Sequence, residues 1–277
     1  MSQTPDLGAV RRYWESRPLG TLEVEAEPGS PAFFERFNEV REQDEGLFAR
    51  PIYGFDRHAG QRVLDIGCGN GWPVENFARG GAEITGLDLT EAAVRLTRRR
   101  LALAGLSATL VVGNAEQLPF PNGTFDHVSS SGVLHHTPET ERAMAEAVRV
   151  IRPGGTGMIA LYYRHVLLHP LVWPLTRLFV RALFAAVPGR NAFGEVRTPE
   201  DLVRLYDGND NPIGRAYSRR DMDKMLPGCR VDRVELHFFP TRFLFRRMPP
   251  MWMRRLLDRW LGLLIYVHFS RLGDQND

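Results

Sequence analysis

The chain has 277 residues, 43% of them apolar and 25% charged, with a formal net charge of +2. That length supports a sizeable core, and that composition excludes a disordered or fibrous chain. A balance so near neutral names no overall electrostatic partner, although cations collect towards the C-terminus.

Cys68 and Cys229 are the only cysteines. With no Cys/His cluster, neither a zinc site nor a disulfide scaffold is expected, and a reducing cytoplasm is the default compartment. Met1 to Gly8 lacks the positive start and apolar core of a signal peptide. Residues 1–60 are expected to form an N-terminal helical lid. Gly8 to Trp14 reads as helix and carries Tyr13-Trp14. Ser30 is an N-cap candidate for a second helix from Pro31 to about Asp44, with proline at its first position. Phe33, Phe34, Phe37 and Val40 recur at helical spacing on it. They read either as a face packed on the core or as aromatics lining a substrate pocket; Tyr13, Trp14, Phe33 and Phe37 are the substrate candidates.

From 61 to 163 strands alternate with helices of 10–15 residues, the pattern of βαβ units and a parallel sheet. Val63–Ile66 is the first strand. It runs into Gly67-Cys68-Gly69-Asn70-Gly71, a loop with glycine at every second position. Glycines there let the backbone turn sharply and let a ligand approach it. Strands follow at Ile84–Leu87, Thr109–Val112, Phe125–Ser129 and Gly157–Tyr162. Helices are expected at Pro73–Arg79, Glu91–Ala104 (capped by Thr90 and stopped by Gly105) and Glu139–Ile151.

Residues 164–230 interrupt the rhythm and are expected to be an α-helical cap insert for substrate. Leu167–Val187 is strongly apolar, so a transmembrane span, an amphipathic cap over the site and an interfacial membrane helix are its three readings. Pro170, Pro174, Arg177 and Arg181 count against the span. Residues 206–212 read as loop. Residues 231–277 are expected to complete the sheet with strands at Val231–Phe239 and Leu263–Phe269. Between them Arg242, Arg246, Arg247, Arg254, Arg255 and Arg259 mix with Phe243, Phe245, Trp252 and Trp260. A solvated helix, an anionic lipid surface and an acidic substrate are the readings of that segment; no nucleic-acid-binding motif is present, so no nucleic acid is expected.

The glycine loop departs from a dinucleotide fingerprint, because Trp72 stands where the third glycine belongs. No Gly-Lys-Ser/Thr follows, which excludes a Walker A loop. Asp65 at the strand end is unhelpful to a pyrophosphate and welcome to a cationic cofactor. Asp88 closes the second strand, where a carboxylate can accept from ribose hydroxyls. Asn114-Ala115-Glu116 follows the third strand and can read an adenine edge.

The runs VLDIGCGNG at 63–71, GLDLT at 86–90, NAEQLPF at 114–120, FDHVSSSGVLHH at 125–136 and IRPGG at 151–155 resemble class I S-adenosylmethionine-dependent methyltransferases. They are most similar to the small-molecule branch that contains the quinone-biosynthesis C-methyltransferases. The resemblance covers about 63–163. It implies a Rossmann-like α/β fold, a doubly wound seven-stranded sheet in the order 3-2-1-4-5-7-6 with the seventh strand antiparallel. It implies S-adenosylmethionine as cofactor, S-adenosylhomocysteine as product and no metal. Asp65, Gly67, Gly69 and Asn70 would surround the methionine moiety, and Asp88 would hold the ribose. Leu89, Asn114, Ala115 and Glu116 would flank the adenine, and Ser131 and Val133 would pass near the methyl. Asn114 departs from the aspartate often found there.

The implied reaction is methyl transfer to a small, apolar or amphipathic molecule on oxygen, nitrogen or carbon. Alignment of two reactants can supply roughly 7–11 kcal/mol of such a barrier. Where the acceptor carries a proton, His135, His136, Tyr162, Tyr163 and His165 are the base candidates. His165 and Tyr217 are further substrate candidates, with Arg164 and Arg215 as anion binders. Two alternatives stand beside this reading: a membrane-surface enzyme for a lipid or prenylated quinone, touching the bilayer's inner face through 167–187 or 242–260, and a non-catalytic cofactor-binding module. An NAD-dependent oxidoreductase is disfavoured by Trp72 and Asp65. Neither oligomeric state nor acceptor is legible.

Overall fold

In the computed structural model, residues 6–22, 24–46, 48–184, 196–208, 210–239 and 249–273 are described. The strands are β1 (Arg62–Ile66), β2 (Glu83–Asp88), β3 (Thr109–Val112), β4 (Phe125–Ser131), β5 (Ile151–Tyr163), β6 (Ala216–Tyr217), β7 (Cys229–His237) and β8 (Leu264–Arg271). Seven of them form one path, β3-β2-β1-β4-β5-β8-β7, and the two-residue β6 pairs with β5 beside it. β1 to β5 are mutually parallel where they pair, and β8 runs antiparallel to both β5 and β7. The expected order and the antiparallel last strand are therefore observed. β6 is the addition: at Tyr162 and Tyr163 it pairs with the end of β5, a stretch too short to register as periodicity.

β1 explains the centre of the sheet. Val63, Leu64 and Ile66 are fully buried, and Asp65 is 2% exposed, as a strand covered by helices on both faces requires. One apolar cluster, with Val63, Val74, Phe77 and Tyr53, fills one side; another, with Leu64, Ile66, Val128 and Met144, fills the other.

The helices around it are α1 (Leu7–Ser16), α2 (Pro31–Glu45), α3 (Ala49–Tyr53), α4 (Trp72–Arg79), α5 (Glu91–Ala104), α6 (Thr140–Val150), α7 (Trp173–Phe184), α8 (Pro199–Tyr206), α9 (Arg219–Met225) and α10 (Met251–Leu261). Their starts follow capping chemistry. Ser30 Oγ accepts from Phe33 N at 3.1 Å, and Thr90 Oγ1 from Ala93 N at 3.3 Å. Thr198 with Asp201 and Ser218 with Asp221 form reciprocal capping boxes. Arg100, 2% exposed, ties three helices together: from α5 it donates to Asn38 Oδ1 on α2, to Glu75 Oε2 on α4 at 2.9 Å and to Asn70 O in the glycine loop.

Within 167–187 the described α-helix is α7, 12 residues, and 185–187 lie outside the described residues. No helix among the described residues is long and apolar enough to cross a membrane. Arg242, Phe243, Phe245, Arg246 and Arg247 likewise lie outside the described residues, whereas Trp252, Arg254, Arg255, Arg259 and Trp260 are on α10.

Candidate functional site

The glycine loop is drawn over the end of β2. Gly67 N and Cys68 N both donate to Leu87 O, at 2.7 and 3.0 Å, and Gly69 N donates to Asp88 Oδ2 at 3.0 Å. Its carbonyls are tied back to α5: Thr97 Oγ1 donates to Gly69 O, and Arg100 Nε to Asn70 O. Gly67 has φ +81°, and a Cβ there would stand 2.3 Å from a Val133 methyl. Only glycine leaves this wall open.

A cavity of about 250 Å³ begins at this loop. Of the expected cofactor residues, Gly67, Gly69, Asp88, Leu89, Asn114, Ala115, Ser131 and Val133 line it. Asp65, Asn70 and Glu116 stand behind the wall. Asn70 is fully buried and donates to Leu19 O. Glu116 Oε1 accepts from Glu139 N at 2.7 Å, so it braces the entry to α6. Asn70 is turned inward by its bond to Leu19 O, and Glu116 by its bond from Glu139 N.

Asp65 and Asp88 differ in what they have left to offer. Asp88 already accepts from Gly69 N, Thr90 N and Thr90 Oγ1. A carboxylate offers about four lone-pair positions, so about one remains for a ligand. Burial raises its pKa, opposed by those donors. Asp65 is pushed up to about 7, chiefly by burial, with Ser129 and Arg41 pulling the other way. Its Oδ2 has no hydrogen-bond partner. A buried acid with an unsatisfied oxygen behind an open glycine wall suits a cationic ligand, so these residues fit S-adenosylmethionine. Asn114 Oδ1 accepts from Glu116 N at 2.9 Å, which fixes its amide within its own loop.

The far end of the cavity is lined by Trp14, Leu19, Phe37, Val40, Arg41, Glu45, His136, Tyr162, Asp207, Phe238 and Leu264, among others. The N-terminal segment lies across it. Arg11 Nε donates to Leu89 O at 3.1 Å, and Glu15 accepts from Glu91 N and Ala92 N at the start of α5. Leu19 packs over Gly69. Trp14 and Phe37 thus reach the cavity. Tyr13 does not: its hydroxyl donates to Asp207 O at 2.6 Å. Phe33, fully buried, belongs to the core.

Asp207 is the hub of the polar end. Tyr162 OH donates to its Oδ2 at 2.6 Å, and His136 Nε2 stands 3.1 Å from the same oxygen. His136 Nδ1 lies 2.6 Å from Ile213 O. A carbonyl only accepts, so Nδ1 donates to it and Nε2 is the ring nitrogen that faces the carboxylate. Trp14 packs on the imidazole with ring centroids 5.2 Å apart.

The other expected catalytic and substrate residues lie elsewhere. His135 is fully buried and outside the lining; its Nδ1 accepts from Tyr162 N at 3.3 Å, and burial holds its pKa well below the usual range. Tyr163 faces the opposite side of β5 from Tyr162, because strand side chains alternate, and it packs with Tyr217 in the second core cluster. His165 Nδ1 accepts from Leu167 N, capping a turn, and burial lowers its pKa to about 4. Arg164 donates to Ala216 O and Arg215 to Pro138 O, so both serve the backbone. Of the described insert residues only Asp207 lines the cavity. α7 instead exposes Leu175, Leu178 and Phe179.

Asp207, Arg41 and Glu45 are among the lining residues outside the candidates named from the sequence, and of the two base candidates Tyr162 and Tyr163 only Tyr162 lines the cavity. Arg41 and Glu45 continue the row Phe33–Phe37 at four-residue spacing, and they pair at 2.9 Å with Arg41 over the Trp72 ring. Helical periodicity alone was signal enough for them. Nothing local marks Asp207, which arrives from a loop.

One nitrogen each from His135 and His136 and a carboxylate oxygen of Asp207 lie within 4.8 Å of one another. Their hydrogen bonds suit a metal poorly. His135 Nδ1 is taken by an N–H and His136 Nδ1 by a carbonyl, so His135 Nε2 carries its ring's proton and has no lone pair to give.

A doubly wound sheet with a glycine loop and an acid at the end of each of its first two strands defines a Rossmann-like nucleotide-binding protein. Residues 64–159 match the sequence profile described as a methyltransferase domain. A phthiotriol/phenolphthiotriol dimycocerosates methyltransferase of Mycobacterium leprae is 42% identical over 158 residues, 53% of this chain and 57% of that protein. A ubiquinone biosynthesis O-methyltransferase of Mesorhizobium japonicum is 28% identical over 200 residues, 68% of this chain and 79% of that protein. The match thus spans little more than half the length of the mycobacterial relative. Among solved structures, an S-adenosylmethionine-dependent methyltransferase of Methanosarcina mazei shares the fold with a TM-score of 0.54 at 18% identity, covering 81% of this chain and 98% of that one.

Proposed function

We propose that this protein transfers a methyl group from S-adenosylmethionine to a small amphipathic acceptor that carries a polar head. The observation that carries the reading is one continuous cavity, running from Gly67, Gly69 and Asp88 to Trp14, Tyr162 and Asp207. Donor and acceptor would meet inside it, out of water. The apolar lining from Val10, Trp14, Phe37 and Leu264 suits an apolar body. The relatives' own names, a dimycocerosate and ubiquinone biosynthesis, support a lipid-like or quinone-like acceptor.

When bound, the cofactor supplies an electrophilic methyl on a sulfonium. The chain's residues do the rest. Asp88 accepts from a ribose hydroxyl with its remaining lone pair. Asp65, once ionised, balances positive charge behind the glycine wall. The Asp207 carboxylate, held by Tyr162 and His136, takes a proton from the acceptor head where the reaction releases one. Proton transfer by a placed group contributes typically ~10²–10⁴-fold. Calorimetry with S-adenosylmethionine tests the donor half: Asp88→Ala should weaken binding at least tenfold, and unchanged affinity would reject the site. Release of S-adenosylhomocysteine with demethylated quinones or phenolic lipids tests turnover, and binding without turnover of any acceptor leaves only the non-catalytic module.

A further inference from the structure

α10 has two faces of opposite character. Its inner face is pinned: Asp258, 8% exposed, accepts from Phe239 N at 2.8 Å, and Arg254 donates to Gln43 O and Asp44 O at the end of α2. Its outer face is apolar and open. Trp252, Leu256 and Trp260 are 68%, 51% and 66% exposed, and Met251 joins them at 52%. Residues 252, 256 and 260 are four apart, one row along a helix. Arg255 and Arg259 flank that row, both exposed, and neither makes an ion pair among the described residues. Asp258 is the only acid of α10, and it points inward.

A single exposed leucine needs no explanation, but a row with two tryptophans does. An acidic peptide would want a groove, and this is a convex helix. A second copy would want area: an 11-residue helix is about 16 Å long, and one face of it falls short of the roughly 800 Å² per partner of a standard interface. A bilayer surface requires neither. Tryptophan settles at the headgroup level and arginine pairs with anionic heads.

We infer that the Trp252–Leu256–Trp260 row, with Arg255 and Arg259, docks the protein on an anionic lipid surface. The location gives this docking a use. Arg254 holds the carbonyl of Asp44, which lines the cavity with Glu45, and Phe238, next to the Phe239 held by Asp258, lines it too. A bilayer against α10 therefore lies beside the acceptor end of the cavity. The surface stands on α10 alone; delivery of the acceptor from the lipid rests on the methyltransferase reading.

Co-sedimentation of the full chain with phosphatidylglycerol/phosphatidylcholine vesicles tests it. The expected result is binding at least tenfold tighter than to phosphatidylcholine alone, weakened by salt, with a blue shift of tryptophan emission. Trp252→Ser with Trp260→Ser should lose at least tenfold, and Arg255→Glu with Arg259→Glu should lose the preference for phosphatidylglycerol. Absence of pelleting, or equal pelleting of wild type and both variants, overturns the inference. So does a concentration-dependent dimer by ultracentrifugation that Trp252→Ser abolishes, since a second copy would then cover the row. Calorimetry with S-adenosylmethionine on the same samples separates the two readings: donor affinity should be unchanged in both double variants.

Discussion

Asp207 Oδ2 receives the Tyr162 hydroxyl at 2.6 Å and faces His136 Nε2 at 3.1 Å, so one carboxylate oxygen joins β5, the turn after β4 and the insert. The backbone at 207 is held from the other side by Tyr13 of α1. The carboxylate is thus placed by three separate elements, which is what a positioned proton acceptor needs.

Asp207→Asn keeps the shape and an acceptor for Tyr162, and removes the negative charge that faces His136 Nε2. With an acceptor that must lose a proton, the rate of S-adenosylhomocysteine release should fall roughly 100-fold, with donor affinity changed less than twofold by calorimetry. Tyr162→Phe should fall less, because His136 still orients the carboxylate. Equal turnover of Asp207→Asn and wild type would remove Asp207 from the chemistry.

Asp65 gives a pH dependence whose sign can be worked out. Its carboxyl is raised by burial from 3.8 to about 7 in the folded protein. Below the lower value it is protonated in both states, and above the higher one it is ionised in both. Between them the folded protein keeps a proton that the unfolded chain has lost, so this group's contribution to stability falls as pH rises. The full penalty above pH 7 is roughly 4 kcal/mol at 1.36 kcal/mol per unit. Asp65→Asn should therefore stabilise the protein at pH 8 by about 2–4 kcal/mol in urea unfolding, with the gain shrinking towards pH 4. The same change should weaken the donor at pH 8, because the ionised acid is what a cationic ligand recruits.

Gly67 and Val133 test the glycine wall. Alanine at 67 meets both a positive φ and a Val133 methyl at 2.3 Å. The backbone cost is roughly 1–2 kcal/mol and overpacking adds about 1–3 kcal/mol. Val133→Ala relieves only the second. The double variant Gly67→Ala/Val133→Ala should accordingly be more stable than the sum of the single changes by about 1 kcal/mol, as read from denaturation midpoints. Strict additivity would mean that the two side chains do not meet.

The sheet and the donor end were legible because their signals are local. Apolar strand runs, the glycine spacing at 67–71 and the acids at 65 and 88 each sit within a few residues of the structure they produce. Strand alternation and helical rows also lie in the sequence: alternation puts only one of Tyr162 and Tyr163 in the cavity, and the Phe33–Phe37 row runs on to Arg41 and Glu45. Asp207 and Leu19 were not legible at all. They reach the cavity through contacts between segments distant in sequence, Tyr13 with Asp207 194 residues apart and Asn70 with Leu19 51 apart, and no spacing rule encodes those. The exposed side of α10 was visible as a charge-biased stretch, but which of its arginines face outward depends on Asp258 and Arg254 being taken inward.

The docking of α1 over the donor end leads to a kinetic expectation. Glu15 accepts from Glu91 N and Ala92 N, 2.9 and 3.0 Å away, supplying negative charge to the first turn of α5 where unpaired N–H groups and the helix dipole favour it. Glu15→Ala leaves those N–H groups to water and loosens α1, while Asp88 and the glycine loop are untouched. Donor association and dissociation should both quicken, at least threefold by stopped-flow fluorescence of Trp14, with the equilibrium affinity moving less than either rate. Limited proteolysis should cut near residues 17–22 faster in the variant, and saturating S-adenosylmethionine should slow that cleavage in wild type more than in Glu15→Ala. Unchanged rates in both directions would mean that α1 is a fixed wall of the cavity and that the donor enters by another route.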